Sequence, residues 1–284
     1  MAHLKALVGV VVLYRCNLEE SNTIASLDIS LGKVKKRLNL LVYDNGPKKQ
    51  SSEEEIKYGN FDISYKHDPT NPGISKAYNE GIGFATKHGA DWILLLDQDT
   101  FYGSDFVGSF LKAIAENIPD ETVCIIPKAV STDNNALISP SKYYSGGIMR
   151  PVKNIEPGLI DSRSITGINS GTIISPKFIE SIGGFSENYP LDMLDHWYFR
   201  EIKRMKKRII LMNSLVHHNL SVSSFFQEVS MERYNSLLWS ENRFYRGNLL
   251  DFCIYKLRLI FRLLKQLKAK EQEYAKLTFK YLTK

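Results

Sequence analysis

The 284-residue chain has little cysteine, and none of it is patterned. Cys16, Cys124 and Cys253 stand alone, with no CxxC pair and no Cys/His ligand spacing, which excludes a disulfide framework and a zinc module. They read as reduced, mostly core thiols of a cytoplasmic protein. No segment reaches the roughly 18 uninterrupted apolar residues of a spanning helix. The apolar run within Met1 to Tyr14 is short and has no small-residue cleavage site behind it, so a signal peptide is not expected either. Internal repeats, low-complexity tracts and nucleic-acid signatures such as an RRM or zinc finger are also missing.

What is present is the composition of an ordinary globular protein, with enough chain for one large domain or a domain plus an appendage. The formal charge of +6 and pI near 9.0 favour an anionic partner: nucleic acid, acidic lipid or a phosphorylated small molecule. Charge alone does not choose among them.

The first hundred residues alternate two patterns. Leu7 to Tyr14 and Leu38 to Tyr43 are continuous apolar runs of the kind buried on both faces of a sheet, and Phe61–Tyr65 and Trp92–Leu96 are further strand candidates. Between them lie helical stretches, Asn22 to Leu31 with Ser21 or Asn22 as cap, and Ile74 to His88. A βαβα series of this kind predicts a doubly wound, mainly parallel sheet, which binds ligands at the carboxyl ends of its strands. Asp44, Asn45, Asp97 and Asp99 fall at that edge. Beyond it the sequence predicts a helix over Phe106 to Glu116, a strand at Val123–Ile126, loops with a hairpin around Ser145–Gly147, and a strand and short helix ended by Gly183–Gly184. Strand signals vanish after Met231. Leu249 to Leu267 reads as a basic amphipathic helix or helix pair. The expected division is a domain over residues 1–230, with halves at about 1–100 and 101–230, and a helical region over 231–284.

Asp97-Gln98-Asp99 follows five apolar residues, so two carboxylates emerge together at a strand end, where unpaired burial is costly. A hard cation, Mg2+ or Mn2+, that bridges to a diphosphate would satisfy them, and a solvated turn is the plain alternative. Asp192 and Asp195 lie three residues apart at a helix start, where one can act as general base beside Trp197, or either can simply cap. The glycine-opened helix from Asn71 can bring backbone amides close to a phosphate or sugar, or form a tight turn with ordinary packing. His217 and His218 can supply a metal ligand or serve the fold. The cations Arg243, Arg246, Lys256, Arg258, Arg262, Lys265 and Lys268 can likewise be a solvated face.

Taken in order, these segments resemble glycosyltransferase family 2, the inverting enzymes with the α/β GT-A fold, and within it the bacterial rhamnosyltransferase-like branch. The resemblance runs over about residues 5 to 250. It implies that Tyr14, Asp44 and Asn45 hold the nucleotide, that Asn71, Gly73, Lys76, Asn79, Asp97 and Gln98 face the donor, and that Asp99, with Asp97, meets the metal. It makes Asp195 the catalytic base, with Asp192, Trp197, Asn169 and Ser170 on the acceptor side and His217 or His218 near the metal. Glutamate-aspartate is commoner in the family at the acidic motif; here Leu194 precedes Asp195, which leaves the role of Asp192 open.

By the same resemblance the donor is a nucleoside-diphosphate sugar, first dTDP-L-rhamnose and then a UDP-hexose or UDP-galactofuranose. The acceptor is a lipid-linked or growing polysaccharide of cell wall, capsule or O-antigen type. The expected location is cytoplasmic and peripheral at an anionic membrane surface, with a homodimer as an option and no nucleic acid. A nucleotidyltransferase is disfavoured because Tyr14-Arg15-Cys16-Asn17, not a glycine-rich basic loop, follows the first strand. A catalytically silent nucleotide- or glycan-binding module is the reading from another class.

Overall fold

Strand β1 (Ala2–Leu13) shows why the sheet is covered on both sides. Its residues alternate between two cores, Val8, Val10 and Val12 facing one and Leu7, Val11 and Leu13 the other. The structure, a computed structural model, describes residues 1–115, 118–163, 165–218 and 229–284. Four strands, β1, β2 (Lys36–Asp44), β4 (Phe61–His67) and β5 (Trp92–Leu96), run parallel, and the short β3 (Glu55–Tyr58) closes that edge antiparallel to β4.

Beyond β5 the sheet is mixed. The two-residue β13 (Ile173–Ile174) lies antiparallel between β5 and β7 (Thr122–Ser131), and β14 (Arg208–His218) runs parallel to β7. β6 (Phe101–Tyr102) and β11 (Gly158–Ile160) pair with β14, and β8 (Leu137–Ser139) pairs with β7. A separate antiparallel sheet of β9 (Ser141–Tyr144), β10 (Ile148–Pro151) and β12 (Ile165–Thr166) contains the expected hairpin, turning at Ser145–Gly147. The parallel reading thus holds for the N-terminal half, where helices join β1 to β2 and β4 to β5.

Helices α1 (Asn22–Lys33) and α3 (Phe106–Ala115) cover one face. Ser21 caps α1 by accepting from the Ile24 N–H, satisfying one of its orphan donors. The expected last residue of α3, at position 116, lies outside the described residues. The other face carries α2 (Ile74–His88), α4 (Pro176–Ser181), α5 (Leu194–Arg204), α6 (Met231–Tyr245), α7 (Leu249–Lys268) and α8 (Gln272–Leu282). α2 approaches β1 so closely that a Cβ on Gly81 would lie 2.4 Å from Val10 Cγ2.

The last three helices bury Tyr234, Leu238, Phe244, Tyr255, Leu259 and Tyr281 in the same core as Val10, Tyr78 and Ile93. Packing is therefore continuous across residue 230. Of the cations that the sequence allows as a solvated face, Lys265 and Lys268 of α7 are exposed and three others are engaged inward. Lys256 donates to the carbonyls of Tyr281 and Leu282, Arg258 to that of Gly146, and Arg262 forms two 2.9 Å bonds to Glu241. These three cations turn inward because carbonyls and the buried Glu241 carboxylate await them, while Leu257, Phe261 and Leu264 face out and Leu259 is buried.

Candidate active site

All five residues of β5 are buried, and the chain leaves the core at Asp97. Asp97 is held from three sides. Its Oδ2 accepts from Ser170 Oγ at 2.5 Å, its Oδ1 lies 3.5 Å from Tyr78 Oη, and its main-chain oxygen accepts from Thr23 Oγ1 at 2.5 Å. Gln98, assigned to the donor from sequence, is bonded to the end of β1 and the cap of α1: Oε1 accepts from the Tyr14 N–H at 2.8 Å and its carbonyl from Ser21 Oγ at 2.7 Å. Asp99 is about half exposed, and partial burial, then the neighbouring Asp97 charge, pushes its carboxyl above the usual range while His218 pulls it back.

Of the two histidines that end β14, His218 is the one at this site. Strand alternation turns neighbours to opposite faces. His218 Nδ1 lies 3.1 Å from Ser170 Oγ, 3.1 Å from Thr100 Oγ1 and 4.0 Å from Asp99 Oδ1, whereas His217 pairs across to Phe101. The single hydroxyl hydrogen of Ser170 is directed at Asp97, so its oxygen must accept from His218.

The donor set fits a divalent cation. Two carboxylates one residue apart repel, and the His218 imidazole stands beside them. Among the described residues no group of three or more His, Cys, Asp or Glu forms a metal cage by itself. Ligand oxygens would complete the shell.

Around this centre the sequence-assigned residues divide. Asp44 is fully buried, with Oδ1 on the Gly46 N–H at 2.8 Å and Oδ2 on Tyr65 Oη at 2.5 Å, so it shapes the turn. Asn45 donates weakly to the Gly73 carbonyl at 3.4 Å, and its buried Oδ1 has no hydrogen-bond partner. Tyr14, Asn71 and Lys76 are exposed along the same edge. The opening amides of α2 are not free to meet a phosphate: Ile74 and Ser75 both donate to the Pro190 carbonyl, at 2.6 and 3.3 Å. Gly73 permits this approach, since a Cβ there would lie 2.2 Å from that oxygen. Asn79 is also engaged at both ends, accepting from the Phe185 N–H at 2.7 Å and donating to its carbonyl at 2.9 Å.

On the far side, Asp192 does not cap α5. It makes a two-pronged ion pair with Arg233, and burial still raises its carboxyl above the usual range. Asp195 lies in the first turn of α5, partly buried, with Oδ1 accepting the His196 N–H at 2.8 Å. Trp197 lies against Tyr189 with ring centres 6.4 Å apart. Asn169 is nearly buried and its Oδ1 has no partner, while Ser170, expected on the acceptor side, belongs to the Asp97 and His218 network. Tyr78 lies wholly within the core; burial, then Asp97 and more weakly Asp195, raises its phenol.

Sequence reasoning missed Thr100, Tyr78, Pro190 and Arg233. Thr100 adjoins the DxD and Tyr78 lies inside the Asn71–Gly81 segment, so both were within reach. Arg233 was not, because it meets Asp192 across 41 positions of chain.

The family model "Glycosyl transferase family 2" matches residues 16–166. Asp97 and Asp99 lie inside that segment, and Asp195 and His218 beyond it. A Shigella flexneri protein described as dTDP-rhamnosyl transferase RfbF is 26% identical over 132 residues, 46% of this chain and 43% of that protein. Among solved structures, that of GalNAc-T7 with UDP, GalNAc and Mn2+ matches with a TM-score of 0.55 at 12% identity, over 82% of this chain and 47% of that one. Each match spans less than half of the relative's length, and the second is a likeness of fold.

Proposed function

The chain belongs to glycosyltransferase family 2 and has its GT-A fold, and we propose that it transfers a glycosyl unit, with inversion, from a nucleoside-diphosphate sugar to an acceptor hydroxyl. The observation that carries this reading is the meeting of Asp97, Asp99 and His218 at the strand ends, with Ser170 between Asp97 and His218. L-Rhamnose from a dTDP donor is the first choice, supported by the description of the Shigella relative. A UDP-sugar is second, supported by the UDP in the structural neighbour. The acceptor in this reading is a lipid-linked or growing cell-surface polysaccharide.

Asp97, Asp99 and His218 would hold Mg2+ or Mn2+, which when bound neutralises the charge of a departing diphosphate. The chain's own residues do the rest. Ser170 and Thr100 orient His218, Ser170 and Tyr78 fix Asp97, and Gln98 locks the end of β1 to the carboxylate loop. Asp195 takes the proton from the acceptor hydroxyl as its oxygen attacks the anomeric carbon. One base suffices, because a nucleoside diphosphate leaves without protonation by a second acid.

Asp195→Asn should abolish transfer and slow donor hydrolysis while leaving nucleotide affinity nearly unchanged. Full activity in that variant would remove Asp195 from the reaction. A protein that binds dTDP- or UDP-sugars with Mn2+ but never hydrolyses them would be a binding module instead.

A further inference from the structure

We propose that the outer face of α7 is a docking surface for an anionic lipid bilayer, with the helix lying along the bilayer surface. The idea does not rest on transfer activity. α7 has 20 residues and is therefore about 30 Å long. Leu250, Leu257, Phe261, Leu264 and Leu267, spaced along one face, are each 55–66% exposed. The opposite face buries Tyr255, Leu259 and Gln266 and bonds Arg258 and Arg262 inward, so the apolar stripe cannot rotate into the core. A stripe of this length left in water marks an interaction site.

Charge identifies the occupant. Residues 249–284 hold nine Lys and Arg against three Asp and Glu, and with Lys256, Arg258 and Arg262 turned inward six exposed lysines remain, while residues 1–248 balance at 28 against 28. Lys265 and Lys268 flank the stripe at its C-terminal end, and Lys270, Lys276 and Lys280 follow, all exposed. Two of the three acidic groups there are engaged: Asp251 accepts from the Gly146 N–H and Glu273 pairs with Lys276 at 2.8 Å. A second copy of the chain would bring like charge to like, whereas anionic headgroups complement the lysines as acyl chains cover the leucines. Among the described residues no helix is long and apolar enough to cross a membrane, so the contact is interfacial.

The test uses the full chain with vesicles of phosphatidylcholine containing 30 mol% phosphatidylglycerol, and with phosphatidylcholine alone. The protein should sediment with the anionic vesicles and at least tenfold less with neutral ones. Combined Leu257→Ser, Phe261→Ser and Leu264→Ser should weaken binding at least tenfold, and combined Lys265→Gln and Lys268→Gln at least threefold. As a check that does not depend on that triple variant folding, Phe261→Trp should gain a fluorophore that brominated lipid quenches. Absence of anionic-vesicle binding, indifference to the triple substitution, or an unquenched Trp at position 261 overturns the proposal. So does ultracentrifugation showing a tight dimer that the triple variant dissociates, because a second copy then covers the stripe. Asp195 substitutions leave all these readings unmoved, so the lipid surface and the transfer reaction stand or fall separately.

Discussion

Ser170 Oγ donates to Asp97 Oδ2 at 2.5 Å, joining the loop before β13 to the end of β5 across 73 positions of chain. Hydrogen bonds to charged groups contribute about 1.5–3 kcal/mol, so Ser170→Ala should lower kcat/KM roughly 10- to 100-fold. Because the same oxygen lies 3.1 Å from His218 Nδ1, the imidazole is left with only Thr100 Oγ1 of its two hydroxyl partners. Nitrogen NMR of His218 should show a mixed tautomer in the variant. A single unchanged tautomer would show that Ser170 acts on Asp97 alone.

Asp99 is held above its usual carboxyl range by partial burial and then by Asp97. An acid with a raised folded value penalises the fold when ionised, and the penalty is relieved as pH falls through that value. Asp99→Asn should therefore raise the melting temperature slightly, by about 1–2 °C, in the absence of metal. Mn2+ with a nucleoside diphosphate should raise the melting temperature of the unsubstituted chain further, and the same substitution should erase that rise. Thermal shift with and without Mn2+ reads both effects.

Arg233 holds the buried Asp192 carboxylate. Removing one partner of such a pair strands the other charge, so Arg233→Ala should cost roughly 2–4 kcal/mol, nearer the lower figure because Arg233 is more than a third exposed. The deficit has a sign with pH. Asp192, already raised by burial, rises further without its cation, so the loss is greatest at neutral pH and shrinks as protonation restores a neutral group. Urea unfolding at pH 7.5 and pH 5 should show a smaller deficit at the lower pH, and equal deficits would disprove the account.

Two glycines of the α2 segment should respond oppositely to alanine. Gly73 has φ +96° and its Cβ would press on the Pro190 carbonyl, so Gly73→Ala should destabilise by about 2–4 kcal/mol. Gly83 is exposed within the helix and a Cβ there meets nothing within 4 Å, so Gly83→Ala should stabilise by about 0.5–1 kcal/mol. Chemical denaturation of the two variants checks the pair.

The parallel half of the fold was legible because its signals are local. Runs such as Trp92–Leu96, buried throughout, match the strand the structure shows, and the helix over Ile74–His88 has the expected bounds. The position of Asp97 and Asp99 follows from the same fact, since a residue just after a buried strand must emerge at its carboxyl end. Periodicity carries no information about partners distant in sequence. Only the tertiary structure decided that Pro190 takes the first amides of α2, that Asn79 clasps Phe185, that Arg233 claims Asp192, and that His218 rather than His217 approaches Asp99.

The same limit explains α7. Its sequence determined that it is amphipathic, but which side faces water depended on what lay beneath: Glu241 and the carbonyls of Gly146, Tyr281 and Leu282 drew Lys256, Arg258 and Arg262 inward, while Lys265 and Lys268 stay exposed. An amphipathic pattern specifies two faces. Their assignment to core or solvent is a property of the surface they meet, and that surface is assembled from residues as much as 112 positions away.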